Sequence, residues 1–220
     1  MSQNTRFVKV LCGSLAAILV GACSGEVTEA ELDKWRHNEK GLSRMAQFVS
    51  NPEAPIAMRV RALEVVVEKN NPKRIRGILD ELPEEAGKAE IIAELAKVLV
   101  AHIGANADMA IDAKDALMLL QRYMPAPDFV PVRDALAKWM LAGLTWEATP
   151  EDVKRAYESR ALTSGQIRDL GPAGWPGAAV ILSHGFNVDK MIDILIEPAD
   201  PKATSLLLKG LKKRHKNGEV

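Results

Sequence analysis

The stretch PIAMRVRALEVVVEK, residues 55–69, decides the fold class. Ile56, Val60, Leu63, Val66 and Val67 recur mostly at spacings of three and four, while Arg59, Arg61 and Glu68 fall on the other side of the same helical wheel. Val65-Val66-Val67 has strand propensity but lies inside that period, so the spacing predicts an amphipathic helix.

The same reading extends in both directions. Upstream, Leu32, Trp35, Leu42, Met45, Phe48 and Val49 recur at helical spacings. Downstream, Asn71-Pro72 reads as an N-cap followed by Pro at the first helical position, opening a helix lined by Ile75, Ile78, Leu79 and Leu82. Pro83-Glu84-Glu85 opens another, its acids near the positive helix end, lined by Ile92, Leu95, Val98, Leu99 and Ile103. Further helices are predicted over 110–123, 129–141, 150–159, 176–183, 188–196 and 201–216. Gly and Pro clusters separate them at 104–106, 125–127, 170–174 and 198–201. No stretch alternates at period two between turn signals. The chain is predicted to be all-α.

Short links between many helices prompt a search for repetition. At a shift of 116 residues, Ala62, Asn71, Ile78, Leu79 and Glu81 meet Ala178, Asn187, Ile194, Leu195 and Glu197, all identical and without a gap. Val65, Val66, Arg74 and Ile75 meet Ile181, Leu182, Lys190 and Met191, which are similar in type. The shift equals three periods of about 39, near the repeat length of the HEAT class. The helix start at Pro55, with Arg59 and Arg61 before an apolar run, resembles that class, and Phe129-Val-Pro-Val-Arg-Asp-Ala-Leu136 echoes it. The resemblance implies a short right-handed α-solenoid of stacked antiparallel helix pairs over 32–220. Residues 145–169 depart from the pattern. The Trp, Gly and Tyr signature of tetratricopeptide repeats does not recur at its own period.

Composition sets the outer bounds. Of 220 residues, 47% are hydrophobic and 26% charged, which excludes wholesale disorder and a chain of many membrane spans. Twenty-nine basic residues balance 29 acidic ones, leaving no electrostatic reason to expect nucleic acid as partner.

The N-terminus carries an address. Arg6 and Lys9 precede an uncharged segment with the apolar run Leu15 to Val20, the layout of a secretory signal and too short for a comfortable bilayer span. Val20-Gly21-Ala22-Cys23 resembles the lipobox of bacterial lipoproteins. That resemblance implies a signal peptide over 1–22, cleavage between Ala22 and Cys23, acylation of the Cys23 thiol and amine, and a lipidated tether over 23–31. Ser24 after the cysteine is similar to the outer-membrane sorting pattern, which implies the periplasmic face of that membrane. Cleavage discards Cys12, so no disulfide can form within the mature chain and its core alone must hold it.

Catalytic and metal chemistry find no pattern. His37, His102, His184 and His215 lie far apart, with no HExxH and no Cys to complete a zinc set. His102 reads as a helix-end histidine near the last carbonyls. Ser164-Gly165 and Ser183-His184-Gly185 are not nucleophile elbows. The Gly-rich 171–177 lacks the Lys-Ser/Thr of a phosphate loop and reads as a connector whose Trp175 packs between helices. No enzyme, cofactor or metal is expected.

One charge run remains in the last predicted helix: Lys209, Lys212, Lys213, Arg214, His215 and Lys216. It reads either as cations complementing a helix C-terminus or as a patch for an anionic partner. The expected function is a membrane-anchored, non-catalytic scaffold with an envelope protein as partner. The alternative is a structural or wall-associated lipoprotein that binds through the basic helix, and a third reading is a hydrolase whose site converges from residues far apart in the sequence. Oligomeric state is not read from the sequence.

Overall fold

A computed structural model describes residues 27–37, 39–69, 72–105 and 108–218. Among them are twelve α-helices, two short 3₁₀ turns and no strand. The first half comprises α1 (Glu29–Trp35), α2 (Glu39–Val49), α3 (Ile56–Glu68), α4 (Pro72–Glu81), α5 (Lys88–Gly104) and α6 (Ala110–Leu120). The second comprises α7 (Ala126–Met140), α8 (Pro150–Ser159), α9 (Ser164–Asp169), α10 (Trp175–Ser183), α11 (Val188–Ile196) and α12 (Pro201–Lys216). Cys23 and Ala22 lie outside the described residues, as does Asn71. Among the described residues no helix is long and apolar enough to cross a membrane.

Packing is local along the chain. α1, α2 and α3 pack together, α3 continues onto α5, and α5 onto α6 and α7. At the other end, α10 packs on α11 and α12, with α9 beside them. Among the described residues, extensive contacts join helices within three places of one another in the helix order, the arrangement of stacked helical repeats. One apolar core runs along the stack, and each fully buried Leu or Ile contributes about 1.5–3 kcal/mol relative to exposure.

The internal correspondence at a shift of 116 reappears in three dimensions. α4 starts at Pro72 and α11 at Val188, its counterpart. Ala62, Val65 and Val66 are fully buried, as are Ala178, Ile181 and Leu182. Ile75, Ile78 and Leu79 are buried on one helix, and Met191, Ile194 and Leu195 on the other. Asn187 does not cap α11 through its side chain. It takes the left-handed conformation (φ 46°, ψ 41°), which Asn tolerates, and its Nδ2 donates to Tyr157 Oη at 3.3 Å.

Several boundaries differ from expectation. The helical body begins at Glu29, inside the segment read as tether, because Thr28 and Glu31 form a reciprocal capping box. The apolar series from Leu32 to Val49 is broken into α1 and α2, with a turn at Arg36-His37. The Pro83-Glu84-Glu85 start is a 3₁₀ turn (Glu84–Ala86), and α5 begins after Gly87, whose φ of 76° needs glycine. α7 begins three residues early and accommodates Pro127 in its first turn. α3 is buried on nearly all sides. Arg59, read as outward-facing, is 2% exposed, and its Nε donates to the Val49 carbonyl at 2.6 Å, satisfying the end of α2.

Candidate functional site

The packing of α12 determines which of its lysines converge. At Gly210 the helix approaches α10 so closely that an added Cβ would lie 2.9 Å from the Ala179 carbonyl oxygen. Ala203 and Leu207 are buried on the same side. The opposite side is therefore free to face outward, and on it stand Lys209, Lys212 and Lys216, with the partly buried Lys213 at its flank. With Trp146, from the loop between α7 and α8, they line a cleft of about 680 Å³. Lys209 Nζ sits 4.1 Å from the Trp146 ring centroid and Lys213 Nζ 6.0 Å from it, within cation–π range. Lys213 Nζ also donates to the Trp146 carbonyl.

The basic run thus splits. Four lysines meet at the cleft, while Arg214 is partly buried and does not line it. Among the described residues, none of the four makes an ion pair, and no carboxylate lines the cleft. Leu208 lies in the cleft wall at 53% exposure, and Leu211 follows one turn on at 37%. The spacing of the lysines was visible in the sequence. Trp146, 67 residues from Lys213, carried no signal, and neither did the exposure of the leucines.

A second concavity lies between α5 and α7. It has a volume of about 510 Å³, and its walls include Ala89, Ala93 and Ala96 from one helix and Pro127 and Pro131 from the other. Tyr123 closes one side, its hydroxyl donating to Asp80 Oδ1 at 2.6 Å. Burial, and then the Asp80 carboxylate, push that phenol up to about 12, so it stays a neutral donor. Lys97 and Asp128 are the charged groups of the lining. The surface suits an apolar segment.

The buried ionisable groups are struts. Glu64, on α3, meets Arg61 Nη1 at 2.7 Å and His102 Nε2 at 2.6 Å. His102 is indeed in the last turn of α5, but its partner is a carboxylate on another helix. Lys114, fully buried on α6, donates to the carbonyls of Arg160 and Ala161 at 3.1 and 2.8 Å and to Gln166 Oε1 at 3.2 Å. It thereby satisfies the chain end of α8, and Asp115 Oδ1 at 3.1 Å balances its charge. Ser183 is buried and donates to the Val180 carbonyl at 2.8 Å. Trp175 is packed at 8% exposure as expected, but it opens α10 and does not lie in the connector, which is shortened to a 3₁₀ turn at Gly171–Ala173 and Gly174. Among the described residues no three His, Cys, Asp or Glu side chains are grouped as metal ligands would be.

Compared with protein-family models, curated proteins and solved structures, the chain matches none.

Proposed function

We propose that this chain is a bacterial lipoprotein, cleaved before Cys23, acylated there and held at the periplasmic face of the outer membrane. In this reading its helical stack is a non-catalytic scaffold that binds another envelope protein. The anchor rests on the signal-like N-terminus and on Val20-Gly21-Ala22-Cys23. The binding role is supported by one observation, the apolar groove between α5 and α7. Ala93 on its wall is only partly buried, so apolar surface is open there to a partner's side chains.

Two measurements test the two halves separately. Intact-mass analysis of the processed chain should give an acylated Cys23 at the N-terminus, and Cys23→Ala should leave an unprocessed precursor. An unmodified cysteine, or another start, refutes the anchor. Ala93→Arg should abolish recovery of a stoichiometric protein from detergent-solubilised membranes while leaving the helical spectrum intact. Unchanged recovery refutes the groove.

A second reading is favoured by the lysine cleft beside Trp146. There the C-terminal helix makes the contact, and its target is anionic material at the envelope surface.

A further inference from the structure

The lysine cleft is a mixed surface. Leu208 and Leu211 stand exposed beside the lysines, at 53% and 37%. On a helical wheel Leu208, Lys212, Lys216 and Lys209 occupy one continuous arc opposite the Gly210 side that packs on α10, with Leu211 and Lys213 at its two flanks. A hydrated wall polymer would pair with the lysines and leave the leucines in water. An anionic bilayer accommodates both, since headgroup phosphates meet ammonium groups and the zone beneath takes short aliphatic side chains.

We propose that this face of α12 lies on an anionic phospholipid surface, with Lys209, Lys212, Lys213 and Lys216 at the phosphates and Leu208 and Leu211 entering the interface. The proposal deepens the second reading above and rests on it. Charge complementarity carries it, because four cations that pair with no carboxylate among the described residues stand beside the two leucines. Trp146 contributes by ordering. Its ring lies under Lys209 and its carbonyl accepts from Lys213, so two of the four ammonium groups are already placed before contact. Lysine stems are long enough to lie along apolar surface while their heads stay at the phosphates. Each lysine near such a surface is worth roughly fivefold in partition, so the set of four gives on the order of several hundredfold between anionic and neutral bilayers.

The test uses the full chain with two vesicle types, phosphatidylcholine alone and phosphatidylcholine with phosphatidylglycerol. Flotation reports attachment, and hydrogen exchange over 201–216 reports where α12 lies. The expected result is flotation with both, but slowed exchange of α12 only where phosphatidylglycerol is present. High salt should reverse the slowing. Leu208→Ser with Leu211→Ser, and separately Lys212→Gln with Lys216→Gln, should each remove it, and these exposed positions leave the fold intact. Flotation with both vesicle types and identical exchange overturns the α12 proposal and leaves the lipid anchor standing. Flotation only with the anionic vesicles overturns the anchor and supports the α12 contact. Flotation with neither overturns both. Slowing by purified cell wall but not by anionic vesicles assigns the face to the wall and overturns the bilayer proposal.

Discussion

His102 Nε2 lies 2.6 Å from Glu64 Oε1, tying the last turn of α5 to the middle of α3. The other carboxylate oxygen takes Arg61 Nη1 at 2.7 Å, and Arg61 reaches on to Glu68, which Arg36 meets at 2.5 Å. The first helices of the stack are thus joined by a chain of alternating charges above their apolar seam. Burial alone would raise the Glu64 carboxyl, but the hydrogen bonds and charges of Arg61 and His102 outweigh it and hold it below its ordinary value of 4.5.

That depression has a pH consequence. Folded Glu64 binds its proton less tightly than in the unfolded chain, so its stabilisation is complete at neutral pH. It fades as the pH falls below 4.5 and is gone below the folded value. Glu64→Gln should cost about 1.5–3 kcal/mol at pH 7, the range for hydrogen bonds to a charged group. Denaturant unfolding at neutral pH and at about pH 3 should show the gap between wild type and variant closing on acidification. A constant gap would falsify the carboxylate's role.

Lys114→Met should cost about 3 kcal/mol, because it strands the Arg160 and Ala161 carbonyls and leaves Asp115 without its cation. Lys114→Arg should not rescue it, since a planar fork does not reproduce three convergent bonds from one nitrogen. Urea midpoints at unchanged slope are the readout. A midpoint within error of wild type would mean the buried ammonium is dispensable.

Two helical glycines should respond in opposite directions. Gly77, in α4, has nothing within 4 Å of an added Cβ, so Gly77→Ala should gain about 0.5–1 kcal/mol from helix propensity. Gly210→Ala has the same propensity gain, but its Cβ would sit 2.9 Å from the Ala179 carbonyl. It should therefore destabilise, by about 1–3 kcal/mol as overpacking does. Thermal melts of both variants decide the matter, and a stabilised Gly210→Ala would mean α12 stands off α10.

Leu79→Asp places an unpaired charge in the core, where the native side chain is fully buried, and should cost several kcal/mol. Leu211→Asp, on the open side of α12, should change stability by no more than about 0.5 kcal/mol. Helical circular dichroism through a denaturant titration compares them. Similar losses at both sites would contradict the burial of one and the exposure of the other.

What the sequence made legible was the local part of the fold. α8, α11 and α12 have the residue bounds that the spacing predicts, and for α8 and α12 the ends are set by a Thr or Asp cap with Pro at the first helical position. α9 was missed although Thr163 and Gln166 form a capping box, because Gly165 inside so short a segment masks the period. The break between α1 and α2 was hidden for the opposite reason, since Trp35 and Leu42 keep a seven-residue spacing across it. Arg59 was misjudged because amphipathic patterning assumes one solvent face, whereas α3 has neighbours almost all round. Of the candidate site, the lysine spacing could be read. The Trp146 contact could not, since it depends on how α12 closes against a loop far away in the chain.

The stack has one thin joint. α8 buries only Val153 and Ala156, and it is held largely by polar fastenings: Lys114 at its end, Asn187 on Tyr157, and Arg160 over the Trp139 ring. Cooperative unfolding depends on apolar surface shared across a boundary, and α8 itself adds only these two buried side chains to the core that continues past it. Residues 29–140 and 164–216 should therefore behave as two folding units. Mild denaturant should release amide protection in one before the other, with the α8 segment exchanging earliest of all. Under the proposed role, with the chain held between a membrane and a bound partner, that joint would yield first and recover without losing either half.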